Sequence, residues 1–209
     1  LKRRFKRIHR CIPCAHQPAE AYAIADRIMD PRTHAGPVVE LGAYKGGMSA
    51  KLAIACTAAG RQLYVCDTFT GLPSAEIHLT LQGKVKAYQP GYYAGTVAEV
   101  AAATDWQAEL IVGEFEQTLP TLAIAPAVVF MDVDLISSAT SCIRWLWPRM
   151  VPGGIWYTHE AGVRTFIEAI APLVPECVLW GAGYGLGPHA ANLAYWIKPT
   201  VARLRGFAD

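Results

Sequence analysis

Residues 38–47 read Val-Val-Glu-Leu-Gly-Ala-Tyr-Lys-Gly-Gly, and this stretch indicates the fold class. Its apolar start predicts a short buried strand over residues 37–41, and its glycines predict a tight turn into a helix over residues 46–59. A strand, a glycine turn and a helix open the dinucleotide-binding folds. Here, however, Tyr44 takes the place of the middle glycine of Gly-x-Gly-x-x-Gly. That glycine lets the backbone approach a pyrophosphate, so the stretch indicates a ligand without one.

Predicted strands and helices alternate along most of the chain. The strands cover residues 37–41, 62–66, 110–112, 127–131, 154–158, 176–180 and 193–197, and the helices cover residues 18–29, 46–59, 137–150 and 163–170. Alternation of this kind predicts an α/β fold with a mostly parallel sheet. The glycine-rich residues 181–187 precede a strand pattern rather than a helix, which favours a hairpin over a phosphate loop.

Composition bounds the function. The chain has 209 residues, a formal net charge of +2, 17% charged residues and 53% apolar residues. These values exclude wholesale disorder and favour a single domain with a real core. The small net charge gives no support for a nucleic-acid partner. The longest apolar stretch, residues 122–131, is too short for a helical span, which needs about 20 residues. We therefore expect a cytoplasmic protein without a membrane span.

The first 16 residues form a predicted basic arm ahead of a domain over residues 17–209. Six Lys or Arg and no acid occupy residues 1–10, as expected of a solvated tail or of a contact with an anionic partner. Cys11 and Cys14 follow, flanked by His9 and His16. This group is compatible with zinc binding, redox chemistry or ordinary packing.

An insertion over residues 74–106 interrupts the alternation of strands and helices. It carries three glycines, one proline, His78 and the tyrosines Tyr88, Tyr92 and Tyr93. Long insertions in compact domains are usually lids or binding loops. We expect this one to cover an aromatic or sugar acceptor; His189 is a weaker candidate for the same pocket.

S-adenosylmethionine fits the requirements of the glycine turn, because it lacks a pyrophosphate. Glu40 at the strand end suits its cationic head, and amides near Gly42 and Gly46 suit its carboxylate. Asp67, at the end of the second strand, suits the ribose hydroxyls. In the alternative interpretation, these acids only solvate strand ends. The predicted cofactor-binding residues are Glu40, Gly42, Tyr44, Gly46, Gly47, Ser49, Asp67, Thr68, Phe69 and Glu114.

Acids also follow two later strands. Asp132 and Asp134 end one strand, and His159 and Glu160 end the next. Asp132, His159 and Glu160 form a candidate divalent-metal site, with Mg²⁺ or Mn²⁺ favoured by the carboxylates and a transition metal by the imidazole. Asp134 remains as a general base for a hydroxyl. The alternative is helix capping by Asp134 and Glu160.

Several motifs together resemble the macrocin O-methyltransferase (TylF/MycF/NovP-like) family of class I methyltransferases. The motifs are Glu-Leu-Gly at 40–42, Asp-Thr-Phe-Thr-Gly-Leu-Pro at 67–73, Thr-Leu-Pro at 118–120, Asp-Val-Asp-Leu at 132–135 and Pro-Gly-Gly at 152–154. The resemblance implies a Rossmann-like, doubly wound, seven-stranded, mostly parallel sheet with an antiparallel last strand. It implies S-adenosylmethionine as methyl donor and Mg²⁺-assisted methylation of a hydroxyl, typically on a natural-product sugar.

The resemblance also assigns roles by position. It implies that Asp132 is a metal ligand that also takes part in catalysis and that Asp134 is the general base. The family's two adjacent aspartates after the fifth strand fall on His159 and Glu160, so this chain has one carboxylate fewer for the ion.

Two other functions remain as alternatives. One is an NAD(P)-dependent oxidoreductase, which the missing middle glycine and the lack of a Tyr-x-x-x-Lys pair disfavour. The other is a non-catalytic module that binds S-adenosylmethionine. The expected partner is a small-molecule acceptor, and the apolar strand ends permit a homodimer.

Overall fold

The central sheet has five parallel strands and one antiparallel strand at its edge. In the computed structural model, which describes residues 1–174, 177 and 192–200, the strand order is β5-β2-β1-β6-β7-β8. The last pair, β7 and β8, is antiparallel, and the other pairs are parallel. The sheet strands are β1 (Val38–Leu41), β2 (Leu63–Asp67), β5 (Ala108–Val112), β6 (Val128–Met131), β7 (Ile155–Thr158) and β8 (Ala194–Ile197); β3 (Glu76–Leu79) and β4 (Val85–Tyr88) form a separate hairpin.

This arrangement confirms the Rossmann-like α/β class, with a correction to the strand count. The described residues contribute six strands to the sheet, not seven. The predicted strand over residues 176–180, the glycine-rich residues 181–187 and His189 lie outside the described residues. The predicted antiparallel last strand is confirmed as β8.

Local chemistry explains where the helices begin and end. The predicted helix from residue 46 starts only at Ser49, because the glycines before it belong to the turn. Gly60 ends that helix in the left-handed conformation (φ +64°), which glycine adopts without strain. Pro148 converts the end of the predicted 137–150 helix to a 3₁₀ turn. The helices are α1 (Lys2–Cys11), α2 (Pro18–Met29), α3 (Ser49–Ala59), α4 (Val97–Ala103), α5 (Phe115–Thr118), α6 (Ile136–Leu146) and α7 (Arg164–Ile170), with 3₁₀ turns at Leu119–Thr121, Trp147–Arg149, Glu160–Gly162 and Ala171–Leu173.

Apolar side chains cover both faces of the sheet. On one face, α2 and α3 pack on residues such as Val38 and Phe130, and on the other α6 and α7 pack around Trp156. Phe5 of α1 is fully buried in the first cluster and stacks on Tyr22 at 5.4 Å. The basic arm therefore begins with a helix that is docked on the core. Within the described ranges, no helix is long and apolar enough to cross a bilayer.

The insertion docks over the carboxyl ends of the strands. Glu76 of the hairpin accepts hydrogen bonds from the backbone N–H of Ile136 (2.7 Å) and of Ser137 (3.2 Å), which open α6. The N–H of Leu79 donates to Oγ1 of Thr165 in α7 at 3.1 Å. A carboxylate at a helix N-terminus is stabilised by the free amides and by the helix dipole. These contacts hold the hairpin where the parallel strands end.

Candidate active site

A cavity of about 440 Å³ opens at the carboxyl ends of the parallel strands. Ligands of open parallel sheets bind at this edge because the loops after the strands diverge there. Of the predicted cofactor residues, Gly42, Tyr44, Gly47, Asp67, Thr68 and Glu114 line the cavity. The predicted catalytic and metal residues Asp132, Asp134, His159 and Glu160 also line it. The structure therefore brings both predicted groups into one space.

Asp67 organises the glycine turn after β1. Its Oδ2 accepts hydrogen bonds from the backbone N–H of Ala43 (2.6 Å) and Tyr44 (3.4 Å), and its Oδ1 accepts from the N–H of Phe69 (2.7 Å). Tyr44 and Phe69 both have positive φ angles, which a non-glycine residue adopts only when its surroundings hold it there. Phe69 is buried and does not line the cavity. Asp67 thus couples the loops that follow β1 and β2.

The glycines of the turn permit close approach of other backbone. A Cβ on Gly42, whose φ is +89°, would overlap the carbonyl of Asp132. A Cβ on Gly47 would lie 2.6 Å from the carbonyl oxygen of Pro13. The arm therefore crosses directly over the turn. Gly46 also has a positive φ and packs against α4 rather than lining the cavity.

Glu40 lies beneath the turn, fully buried, as does Ser49. Neither residue lines the cavity, and the Ser49 hydroxyl is close enough to the Glu40 carboxyl to favour its charged form. Burial raises the pKa of Glu40 to about 8, because the charged carboxylate loses its hydration. At neutral pH the Glu40 side chain is therefore mostly protonated in the structure described.

Asp132 lies between two imidazoles. Nε2 of His16 is 2.8 Å from Oδ2 of Asp132, and Nδ1 of His159 is 3.1 Å from Oδ1. Burial alone would lower the pKa of His16, but the Asp132 charge raises it to about 9. Burial also opposes the charged form of His159, but the Asp132 charge raises the pKa of His159 well above its usual value. Burial alone would raise the pKa of Asp132, but His159 and His16 hold it well below the usual range.

A second group surrounds Glu160. Nζ of Lys86, from β4, donates to Oε2 and Oε1 of Glu160 at 2.9 and 3.2 Å, and the Tyr88 hydroxyl donates to Oε2 at 3.0 Å. Nζ of Lys86 also lies 3.9 Å from Oδ1 of Asp134. Burial and then the charges of Asp132 and Glu160 raise the pKa of Asp134 to about 8. Burial opposes ionisation of Glu160, but hydrogen bonds from His159 and Lys86 lower its pKa.

Helix capping does not explain Asp134. The amides that open α6 donate to Glu76 of the insertion, and the Ser137 hydroxyl donates to the same carboxylate at 2.6 Å. The carboxylate of Asp134 instead faces the cavity beside Lys86. The capping alternative for this residue is therefore wrong.

The metal ligands implied by the resemblance fit only in part. Nδ1 of His159 lies 3.1 Å from Oδ1 of Asp132 and 3.7 Å from Oε1 of Glu160. Asp134 adds a further oxygen atom within 4.8 Å of oxygens of Asp132 and Glu160. However, the Lys86 ammonium already neutralises Glu160 and borders Asp134. A divalent cation bound there would compete with this built-in positive charge. Asp132 and His159 remain available from the set.

Sequence reasoning missed several residues of the cavity wall. Cys14, His16 and Lys86 line the cavity, but the first two come from the arm and the third from the insertion. The histidine and cysteine pattern at residues 9–16 was the available signal. Sγ of Cys14 lies 3.4 Å from Nδ1 of His16 and 3.2 Å from Nζ of Lys51. Burial opposes the thiolate, but hydrogen bonding and charge from His16 lower the pKa of Cys14 to about 6.

The aromatic residues of the insertion divide between wall and core. Tyr92 and Tyr93 line the cavity, as expected of a lid, and their rings meet edge to face at 6.3 Å. Tyr88 is buried against Glu160. His78 is buried as well, with its Nε2 3.1 Å from Oε2 of Glu76.

Comparison with known proteins bears on the family and the fold of the chain. Residues 22–170 match the family described as macrocin-O-methyltransferase (TylF). The 8-demethyl-8-(2,3-dimethoxy-alpha-L-rhamnosyl)-tetracenomycin-C 4'-O-methyltransferase of Streptomyces olivaceus is 31% identical over 147 residues, which make up 65% of this chain and 56% of that protein. The chain thus spans little more than half the length of this relative.

Solved structures share the fold at low sequence identity. The O-methyltransferase NovP superimposes with a TM-score of 0.71 at 20% identity, covering 90% of this chain and 84% of its own. The calicheamicin methyltransferase CalS11 gives 0.66 at 18% identity, with coverages of 85% and 76%. The S-adenosylhomocysteine-bound Podospora anserina methyltransferase PaMTH1 gives 0.56 at 12% identity, with coverages of 88% and 77%. On the match over residues 22–170, this chain belongs to the TylF macrocin O-methyltransferase family.

Proposed function

We propose that the protein is an S-adenosylmethionine-dependent O-methyltransferase that methylates a hydroxyl of a small sugar-type or natural-product acceptor. The observation that carries the proposal is a cavity lined both by the glycine turn and by Asp134 with Lys86 beside it. Family membership supports the same activity and removes the oxidoreductase alternative. The Streptomyces olivaceus relative is named for a rhamnosyl tetracenomycin, so a glycosylated polyketide is the first acceptor class to test.

The cofactor half of the cavity is formed by the loops after β1, β2 and β5. S-adenosylmethionine supplies an electrophilic methyl group when bound. Amides of the turn at Gly42 and Gly47 would bind its carboxylate. Asp67 uses lone pairs for loop amides but retains acceptor capacity for ribose hydroxyls. Glu114 lines the same side, where we place the adenine.

The acceptor half lies beneath the insertion. Asp134 is the group that takes the proton of the acceptor hydroxyl, because it lines the cavity and is not needed to cap α6. Its pKa of about 8 makes the ionised fraction of this residue a stronger base than an ordinary carboxylate. Lys86 holds its positive charge 3.9 Å from Asp134, where it would stabilise the negative charge that develops on the acceptor oxygen. Tyr92 and Tyr93 provide aromatic surface for stacking against a sugar or an aromatic ring. The proposal includes a divalent metal, with Asp132 and His159 as candidate ligands.

Calorimetric titration with S-adenosylhomocysteine tests the cofactor half. We expect a dissociation constant in the micromolar range, or about −8 kcal/mol. Absence of binding by the folded, metal-supplemented protein would remove the proposal.

Acceptor turnover by an Asp134→Asn variant tests the base. We expect turnover to fall by at least about 100-fold, as for loss of a general base, with S-adenosylhomocysteine binding retained. Asp26→Asn, at an exposed position of α2, is the matched control and should leave turnover unchanged. Full turnover in Asp134→Asn would refute the assigned role, and binding without turnover of any rhamnosylated acceptor would favour the non-catalytic alternative.

A further inference from the structure

We propose a transition-metal site formed by His16, Asp132 and His159, which binds a late first-row divalent ion such as Zn²⁺ or Co²⁺. The family resemblance implies a different set, Asp132 with His159 and Glu160. In the proposed site, His16 of the N-terminal arm takes the place of Glu160. The site stands on the geometry of three side chains and does not depend on the proposed methyl transfer.

The three side chains converge at the spacing of metal ligands. One ligand atom from each lies within 4.8 Å of the others, and the His16 and His159 nitrogens are 2.8 and 3.1 Å from the Asp132 oxygens. Zinc bonds of about 2.0–2.1 Å in tetrahedral geometry separate neighbouring ligand atoms by about 3.3 Å. Small rotations of the side chains would therefore admit an ion.

His16 contributes a buried nitrogen to this group. The residue is 6% exposed, and its Nε2 lies 2.8 Å from Oδ2 of Asp132. An ion at this position would take the place of the proton that the imidazole shares with the carboxylate, because histidine binds a metal through a deprotonated ring nitrogen.

The second nitrogen of each imidazole has an outer partner. Nε2 of His159 lies 3.5 Å from Oε2 of Glu20, and Nδ1 of His16 lies 3.4 Å from Sγ of Cys14. Glu20 is buried, and the backbone N–H of Gln17 donates to its Oε2 at 2.7 Å. Metal-binding histidines usually have such partners, which orient the ring and set its tautomer.

Glu160 is unavailable as the third ligand. Both of its oxygens accept hydrogen bonds from the Lys86 ammonium, and Oε2 also accepts from Tyr88. Two imidazoles and one carboxylate suit Zn²⁺, Co²⁺ or Fe²⁺ better than Mg²⁺, which prefers oxygen ligands. Three protein ligands next to a cavity also leave a coordination position open, as in catalytic rather than structural metal sites.

Titration of the metal-stripped full chain with Co²⁺, followed by visible absorption, tests the site, with Zn²⁺ competition as a second reading. Loss of an outer partner typically lowers metal affinity by about 10–100-fold. We therefore expect His16→Asn, which removes a direct ligand, to weaken Co²⁺ binding by more than about 100-fold. Glu160→Gln should change affinity by less than about 3-fold, whereas the set implied by the resemblance requires a large loss. His34→Gln, which removes a histidine near Gly153 outside the cavity, is the matched control.

Copper EPR of the wild-type chain keeps the test independent of any variant that fails to fold. We expect one Cu²⁺ per chain, with hyperfine splitting from two imidazole nitrogens. Splitting from one nitrogen, no saturable Co²⁺ binding, or equal affinities of wild type and folded His16→Asn would each overturn the proposal. None of these readings uses a methyl donor, so failure of the metal site and failure of the proposed activity are separately visible.

Discussion

Glu40 makes stability depend on pH in a way that one substitution should remove. The carboxyl is fully buried, and burial raises its pKa from 4.5 to about 8 against the opposing effects of Ser49 and His16. In the unfolded chain the carboxyl ionises near its usual value, so between pH 5 and pH 8 the unfolded state binds fewer protons than the folded state. The free energy of unfolding must therefore fall as pH rises through this window.

The size of the effect follows from the pKa shift. Each unit of difference between the folded and unfolded pKa corresponds to about 1.4 kcal/mol. The shift of Glu40 thus amounts to about 4–5 kcal/mol, fully present as stability below pH 4.5 and lost above pH 8. Glutamine has nearly the same shape and does not titrate. We expect Glu40→Gln to differ little from wild type at pH 5 and to be more stable by about 3–5 kcal/mol at pH 8.5.

Urea unfolding of the ligand-free chain, followed by tryptophan fluorescence at half-unit steps from pH 5 to pH 8.5, measures this difference. The quantity to plot is the free energy of unfolding of the variant minus that of the wild type at each pH, because the contributions of other titrating groups to the two values then cancel. The control is Glu109→Gln, which changes an exposed residue of β5. Its free energy of unfolding should stay within about 0.5 kcal/mol of the wild-type value at every pH. A difference for Glu40→Gln that does not vary with pH would refute the reasoning.

Three further predictions concern the arm, the turn and the insertion. Phe5→Ala should lower the free energy of unfolding by about 3–5 kcal/mol, because Phe5 is fully buried; a loss below about 1 kcal/mol in urea unfolding would mean that the arm is a tail after all. Gly42→Ala should cost at least about 2 kcal/mol in the same assay, because its Cβ would overlap the carbonyl of Asp132 at a positive φ; wild-type stability would contradict this. Lys86→Met should lower acceptor turnover by about 100-fold with S-adenosylhomocysteine affinity unchanged, and equal turnover would exclude its charge from the reaction.

The parts of the site that follow parallel strands were predictable from sequence. Asp67, Asp132 and Glu160 each come at a strand end, and parallel strands bring their carboxyl ends to one edge of the sheet. A local pattern is sufficient to predict these residues, because a parallel sheet brings the ends of its strands together in space. The helix starts were less predictable, since α3 begins only after the glycine turn.

His16 and Lys86 were not predictable in this way, because tertiary contacts place them. His16 reaches the cavity since Phe5 anchors α1 on the core and the chain then crosses the turn at Gly47. Lys86 reaches Glu160 since Glu76 attaches the hairpin to the start of α6.

Charge balance links these two segments to the departure from the family motif. The resemblance implies an acidic cluster that needs an external cation. In this chain the arm contributes His16 and the insertion contributes Lys86, and each lies within 3 Å of an acid at the strand ends. Where the resemblance implies an aspartate, His159 carries no negative charge and provides a second nitrogen beside Asp132. These residues therefore form a consistent set: Lys86 neutralises Glu160, Asp132 lies between two imidazoles, and Asp134 lines the cavity beside Lys86.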